Sequence, residues 1–64
     1  MIVDLRAPQL RVNDVIRLSA RLRGKVKEIT VGASGTVYIK VLFDNVLTPW
    51  MIYPRDTVVQ VYRD

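Results

Sequence analysis

The residues from Thr36 to Phe43 constrain the fold more than any other stretch, because their side chains alternate in character. Val37, Ile39, Val41 and Phe43 would face one way, and Thr36, Tyr38, Lys40 and Leu42 the other. Such period-two alternation is typical of a β-strand with one buried face. Turn-forming residues stand on both sides, with Gly32 and Gly35 before the stretch and Asp44-Asn45 after it. The pattern predicts a long strand between two hairpin turns and places the chain in the all-β class.

Four further strands are predicted from similar runs. They cover Val15 to Ala20, Lys25 to Val31, Val46 to Tyr53 and Val58 to Arg63. Asn13 and Asp14 supply turn chemistry before the first of them. A hinge is expected near Arg23-Gly24, and a 3₁₀-like turn over Pro54 to Thr57 should lead into the last strand. Pro49 cannot donate a ladder hydrogen bond, so the fourth strand should lie at a sheet edge or bend.

Two details of the first strands need separate treatment. Val26, Ile29 and Val31 share one face only if a β-bulge occurs near Lys27-Glu28. An amphipathic helix over Val12 to Leu22 is the competing interpretation of the first strand. Its β-branched residues favour the strand instead.

The first nine residues are predicted to form a short extended N-terminal arm, residues 1–9. Val3 and Leu5 alternate there with Asp4 and Arg6, so the arm can pair as an edge strand. Pro8 makes a helix unfavourable in this stretch. The rest of the chain, residues 10–64, is predicted to form one small domain.

Strand spacing and turn placement in this domain resemble the SH3-like small β-barrels, including the KOW-type domains. The residues that carry the resemblance are Val12-Asn13-Asp14-Val15-Ile16, Gly24-Lys25-Val26, Val41-Leu42-Phe43-Asp44 and Pro54 to Val61. The pattern is also similar to small actinobacterial and actinophage proteins. The resemblance implies a single five-stranded SH3-like barrel over residues 10–64. Asn13 replaces the usual glycine and the KOW loop signature is incomplete, so ribosomal or transcriptional roles are not implied.

Composition limits how such a domain can be stabilised. The 64 residues include no cysteine and no histidine, so disulfides and the usual zinc ligands are excluded. A domain of this size buries only about 60% of its unfolded surface, which leaves packing and association to stabilise it. No run approaches the roughly 20 apolar residues of a membrane span. The first ten residues include Asp4, Arg6 and Pro8, so we expect no signal peptide, no membrane partner and a cytoplasmic location.

Catalysis is not expected, because general acid–base chemistry needs a titratable group placed beside a reacting atom. The acidic candidates are Asp4, Asp14, Glu28, Asp44, Asp56 and Asp64. Three of them, Asp14, Asp44 and Asp56, lie in predicted turns, where a carboxylate that caps backbone N–H groups is the better explanation. Trp50 to Pro54 is similar to a V-Q-I-Y-P segment of the type II dihydrofolate reductases, but Met51 occupies the position of their functional glutamine. We therefore predict no enzyme activity, no catalytic residues, no metal site and no cofactor.

Basic residues cluster around the first two predicted strands. Ten Lys and Arg against six Asp and Glu give a net charge of +4, which favours an anionic partner but also fits ordinary solubility charge. By alternation, Arg17 and Arg21 would share a face, as would Lys25 and Lys27. The predicted contact set for DNA or RNA is Arg17, Arg21, Arg23, Lys25, Lys27, Tyr38 and Lys40. Lysine and arginine contacts to phosphate give affinity without sequence specificity, and an exposed ring can stack on a base.

Apolar residues left over after the inward positions are filled suggest an alternative function. Leu42, Leu47, Met51 and Val58 form this predicted protein interface, since surplus apolar surface often marks an association site. The alternative is a structural or adaptor protein of phage origin that acts through protein–protein contacts and self-association. Together with the small size, the surplus favours a homo-oligomer over a monomer. Trp50 and Tyr53 have opposite strand parity, so one should be buried and the other exposed, with the tryptophan expected as a core plug.

Overall fold

A computed structural model describes residues 1–63; Asp64, the last residue of the predicted domain and one of the acidic candidates, lies outside the described residues. These residues are all-β and form one antiparallel sheet of seven strands. The strands are β1 (Ile2–Arg6), β2 (Val15–Ser19), β3 (Leu22–Val31), β4 (Val37–Phe43), β5 (Val46–Leu47), β6 (Met51–Tyr53) and β7 (Val58–Tyr62). A 3₁₀ turn, Ala7–Gln9, follows β1.

The sheet has the strand order β1-β7-β2-β3-β4-β5, and β6 pairs with β4 beside β5. The two terminal strands of this order are not paired with each other in the described part of the chain, so the sheet is open. Strands from both halves of the order nevertheless contribute to one buried cluster. Because residues 1–63 form a single sheet with no second layer over that cluster, the sheet curls around its own apolar face.

Nine residues form the buried core: Ala7, Leu10, Ile16, Val26, Val37, Ile39, Val41, Val59 and Val61. Three of them are the alternating residues of β4 that the sequence placed on one face. Ile16 lies opposite Gly24 and beside Val61 in the sheet, so β2, β3 and β7 all turn the same face inward. The core is built almost entirely of β-branched residues, which suit a pleated surface.

The predicted arm pairs as an edge strand, in the register that its alternation indicated. Residues of β1 lie opposite β7 from Ile2↔Tyr62 to Arg6↔Val58. Val3 and Leu5 pack against the core, whereas Asp4 and Arg6 are exposed. The 3₁₀ turn after β1 buries Ala7, so the arm and the rest of the chain share one sheet and one core.

Pro49 explains why seven strands are observed where five were predicted in the domain and one in the arm. The predicted fourth strand is divided into β5, which pairs with Leu42 and Phe43, and β6, which pairs with residues 37–39. Thr48 spans the interruption, since its N–H donates to the Val41 carbonyl and its hydroxyl accepts the Val41 N–H, both at 2.9 Å. β5 and β6 are therefore one bent edge strand, as the proline indicated.

The first hairpin differs from the prediction. Residues Ala20 and Arg21 form its turn, and β3 already begins at Leu22, so the hinge predicted near Arg23-Gly24 is wrong. Gly24 lies inside β3, and the position favours glycine because a Cβ there would fall within 3 Å of Cγ1 of Val41. The helix considered over Val12 to Leu22 is also wrong, since β2 occupies that stretch.

The other turns follow the sequence signals closely. The ladder shifts register between Val26 and Glu28, which confirms the predicted bulge. Asn13 has φ 78°, and Asp44 and Asn45 have φ 52° and 63°, so the β4–β5 hairpin has the positive-φ pair of a type I′ turn. Val31 lies opposite the buried Val37 on the core side, as the predicted bulge requires, and it is 55% exposed because it lies at the end of β3. No helix in residues 1–63 is long and apolar enough to cross a membrane.

Candidate nucleic-acid interface on the outer sheet face

The side of the sheet turned away from the core is called the outer face here. One row of directly paired residues crosses it: Tyr62, Val15, Lys25, Leu42 and Leu47. The row on one side of it contains Arg17 and Arg23, and the row on the other side contains Glu28 and Lys40. The outer face therefore presents cations from β2, β3 and β4 on one continuous surface.

Two arginines lie directly opposite each other across the β2–β3 ladder. Arg17 donates to Oε1 of Gln60 at 3.1 Å and to the Ser19 carbonyl at 3.3 Å, and the Arg23 guanidinium stacks 4.0 Å from the ring centroid of Tyr62. Like charges opposite each other destabilise a sheet unless a counter-ion is near.

Carboxylates do not neutralise this pair. The ion pairs within 4.0 Å in residues 1–63 involve Arg6, Lys40, Arg55 and Arg63, and none involves Arg17, Arg23 or Lys25. Lys25 is exposed in the neighbouring row. The three side chains thus form a positive cluster that has no carboxylate within ion-pair distance in residues 1–63, hereafter the Arg17–Arg23–Lys25 cluster.

The β4 end of the outer face combines charge with aromatic rings. Lys40 lies opposite Glu28, with Nζ 3.9 Å from the carboxylate, and its Nζ is 4.7 Å from the ring centroid of Trp50. Tyr38 lies between Thr30 and Ile52 in the next row. Lys40 and Tyr38 therefore project from the outer face together, as predicted from the alternation of β4.

Arg21 and Lys27 are placed differently from the other predicted contacts. Arg21 is exposed in the β2–β3 turn, so its predicted shared face with Arg17 is wrong, and Arg23 takes that place. Lys27 is the extra residue of the bulge and has no partner in the ladder. Because of the bulge, the next residue of β3 after Lys25 that pairs across the ladder on the outer face is Glu28 and not Lys27.

The four residues predicted as a protein interface do not form one patch. Leu42 and Leu47 are directly paired on the outer face, and Leu47 is 44% exposed. Val58 is 59% exposed but lies opposite Arg6 at the β1 side of the sheet. Met51 packs against the core, so its predicted outward position is wrong.

The aromatic residues divide between core and surface. Tyr53 packs against the core, where burial raises the pKa of its phenol, and Trp50 is 43% exposed. Their opposite parity is confirmed, whereas the expectation that tryptophan plugs the core is wrong. Two residues of the outer face are not predicted from the sequence: Tyr62, whose face follows from its pairing with Val15, and Ile52, which lies opposite Tyr38 in β6.

Two acidic residues of the described chain, Asp14 and Asp56, form hydrogen bonds or ion pairs in turns. Asp14 accepts the Arg11 N–H at 2.9 Å and the Arg63 guanidinium at 3.2 Å, which confirms the predicted turn role. Asp56 forms exposed ion pairs with Arg6 and Arg55. No group of three or more acidic, histidine or cysteine residues in positions 1–63 is arranged to hold a metal ion.

No protein-family model matches the chain, and no curated protein or solved structure matches it either.

Proposed function

We propose that the chain is a small non-enzymatic binding protein that contacts nucleic acid through its outer face without strong sequence specificity. The observation that carries the proposal is the Arg17–Arg23–Lys25 cluster. A folded domain of marginal stability holds two arginines face to face with no carboxylate between them, and a phosphate would supply the missing counter-ion.

Other cations lie near this surface. Lys40 follows on β4, Lys27 is exposed at the bulge of β3, and the chain as a whole carries a charge of +4. Phosphate contacts fix position and supply affinity but carry no sequence information. The outer-face amide best placed to read a base edge, Gln60, already accepts a hydrogen bond from Arg17. Weak sequence preference follows, and a nucleic-acid partner is consistent with the cytoplasmic location expected above.

We also propose that the fold is SH3-like. The order β7-β2-β3-β4 with the bent β5–β6 strand is a five-stranded meander in which the last strand returns beside the first. The turn over residues 54–57, closed by a 3.0 Å hydrogen bond from the Thr57 N–H to the Pro54 carbonyl, precedes the returning strand. β1 is then an addition at the free edge of β7.

Binding can be tested by fluorescence anisotropy with labelled single-stranded DNA, duplex DNA and RNA at several salt concentrations. We expect binding at low salt and a linear fall of log affinity with log salt, with a slope of about 0.7–0.9 for each phosphate contacted. Arg17→Gln with Arg23→Gln should weaken binding and lower that slope by about 1–2.

Arg55→Gln provides the matched control. It removes the same kind of charge from an exposed position in the β6–β7 turn, where Arg55 pairs with Asp56. We expect it to change affinity far less than either outer-face substitution. Absence of binding at low salt, or an equal loss from Arg55→Gln, would contradict the proposal.

A second candidate, self-association or an adaptor role, is favoured by the β5–β6 edge. Residues 45–54 include no charged residue, and Val46, Leu47 and Ile52 are 65%, 44% and 62% exposed. Natural proteins usually protect sheet edges with charges, as Asp4 and Arg6 do on β1. Light scattering after size exclusion should then show a dimer that Leu47→Lys dissociates. A monomer at high concentration would eliminate the self-association version.

A further inference from the structure

A shallow groove lies on the outer face beside Lys40. It has a volume of about 380 Å³ and is lined by Thr30, Tyr38, Trp50 and Ile52. Three of these residues form one row across β3, β4 and β6, and Trp50 precedes β6. We call this surface the aromatic groove.

Two large apolar side chains are exposed in the groove. Trp50 is 43% exposed and Ile52 62% exposed, and neither belongs to the buried core of residues 1–63. Its four lining residues carry no charge, and their only polar groups in side chains are two hydroxyls and the indole N–H. An uncharged, flat group that can stack on the indole and accept or donate a few hydrogen bonds therefore fits the groove.

The residues around the groove are positively charged and therefore favour an anionic ligand. The Nζ of Lys40 lies over the Trp50 ring at 4.7 Å, and Lys25 lies opposite Leu42, two residues along β4 from Lys40. The Arg17–Arg23–Lys25 cluster continues the positive surface beyond that point. A ligand that suits both regions has an uncharged flat group in the groove, joined to anionic groups that contact these cations.

We infer that the aromatic groove accepts an unpaired base of single-stranded nucleic acid, while Lys40 and the Arg17–Arg23–Lys25 cluster contact the adjacent phosphates. This inference rests on the proposed function and specifies its partner. A base has the planar uncharged shape, and its backbone supplies the anions. In a duplex the base faces are stacked on each other, so a duplex gains only the phosphate contacts.

The chain's single tryptophan makes this inference directly measurable. Trp50 fluorescence should be quenched when single-stranded oligo(dT) binds, because a base would lie against the indole. An abasic oligonucleotide of the same length keeps the phosphates but lacks bases. It should bind more weakly and leave the fluorescence unchanged, and a duplex of equal length should do the same.

Two substitutions of exposed side chains separate the groove from the general charge. Ile52→Glu places a carboxylate in the groove, and Val46→Glu makes the same charge change at a valine that is 65% exposed and lies opposite Phe43, on the sheet face turned away from the groove. Ile52→Glu should weaken oligo(dT) binding by about 5- to 150-fold, the range for loss of one base stack, and leave duplex binding close to that of Val46→Glu. Trp50→Leu, measured with a labelled oligonucleotide, should give a similar loss.

The outcomes distinguish this inference from the proposed function. Salt-dependent binding that is equal for single strand, abasic strand and duplex, and that still needs Arg17 and Arg23, would overturn the groove and keep the outer face as the binding surface. Absence of binding to every nucleic acid at low salt would overturn both. Equal binding and quenching by polyglutamate would also overturn the groove assignment, because an acidic peptide would then be the better partner.

Discussion

Gly24→Ala tests how tightly the sheet curls around its core. Gly24 is fully enclosed in β3, opposite Ile16, and it has no positive φ that would require glycine. A Cβ at this position would fall within 3 Å of Cγ1 of Val41 and 3.2 Å from Cδ1 of Leu18. Val41 is completely buried and β-branched, so its side chain has little freedom to rotate away.

Two effects of opposite sign decide the magnitude. Replacing glycine by alanine at an unstrained position stabilises a protein by about 0.4–1 kcal/mol through the unfolded state. Overpacking a core costs about 1–3 kcal/mol. The steric effect dominates, so we expect a net loss of about 1–2 kcal/mol and a melting temperature lower by roughly 5–15 °C. Total stability for a chain of this length is of order 3–10 kcal/mol, so the variant should still fold.

Urea unfolding monitored by circular dichroism measures this loss. Val41→Ala alone should cost about 1.6 kcal/mol or more, from two lost methyl groups and a cavity. In the double variant, the alanine Cβ occupies part of that cavity, so the two losses should fall short of additivity by about 1 kcal/mol. Gly32→Ala is the control, because the nearest atom to its Cβ would be 3.4 Å away. A neutral Gly24→Ala variant, or strictly additive losses, would refute the close contact.

Three further predictions concern turns and the buried phenol. Asp14→Ala removes the acceptor for the Arg11 N–H and the Arg63 guanidinium, so the free energy of unfolding should fall by about 1–2 kcal/mol. Asp14→Asn should lose less in the same urea assay, since its amide oxygen can still accept the N–H. Asn45 has φ 63°, so Asn45→Ala should lower the melting temperature, with a cost of about 1 kcal/mol, whereas Asn45→Gly should not; equal effects would contradict the turn geometry. Burial raises the pKa of Tyr53 above its ordinary 10.0, so the unfolded state releases this proton first and stability should fall as pH rises past that value. Tyr53→Phe should lose less stability over the same alkaline range in unfolding curves, and identical pH profiles would count against burial of the phenol.

Strand identity and face were predictable wherever alternation is strict. β4 and β1 follow the sequence pattern residue by residue, because a period of two leaves only one way to bury Val37, Ile39 and Val41. The bulge was predictable for the same reason, since without it Ile29 would leave the core side. Pro49 likewise marked the bend in the edge strand, although the division into β5 and β6 depends on Thr48.

Features that depend on distant partners were not predictable. Gly24 was interpreted as a hinge because the sequence does not show that Val41 packs against it. Because the turn was predicted at the wrong residues, Arg21 was assigned to the face of Arg17, and the pairing of Arg17 with Arg23 was not predicted. The face of Tyr62 likewise depends on the register between β7 and β2, which local alternation does not determine.

The position of β7 between β1 and β2 has a consequence for how the chain folds. Ile2 lies opposite Tyr62, so β7, the strand that pairs with β1 within residues 1–63, is about 60 residues away along the chain. During synthesis, β1 emerges before the other strands and remains without this partner until β7 has followed. Non-local pairing of this kind slows folding, because the entropy of closing a long loop is lost before the contacts that reward it exist. We expect single-exponential folding on a millisecond to second timescale, with the N-terminal strand among the last elements to gain protection from hydrogen exchange.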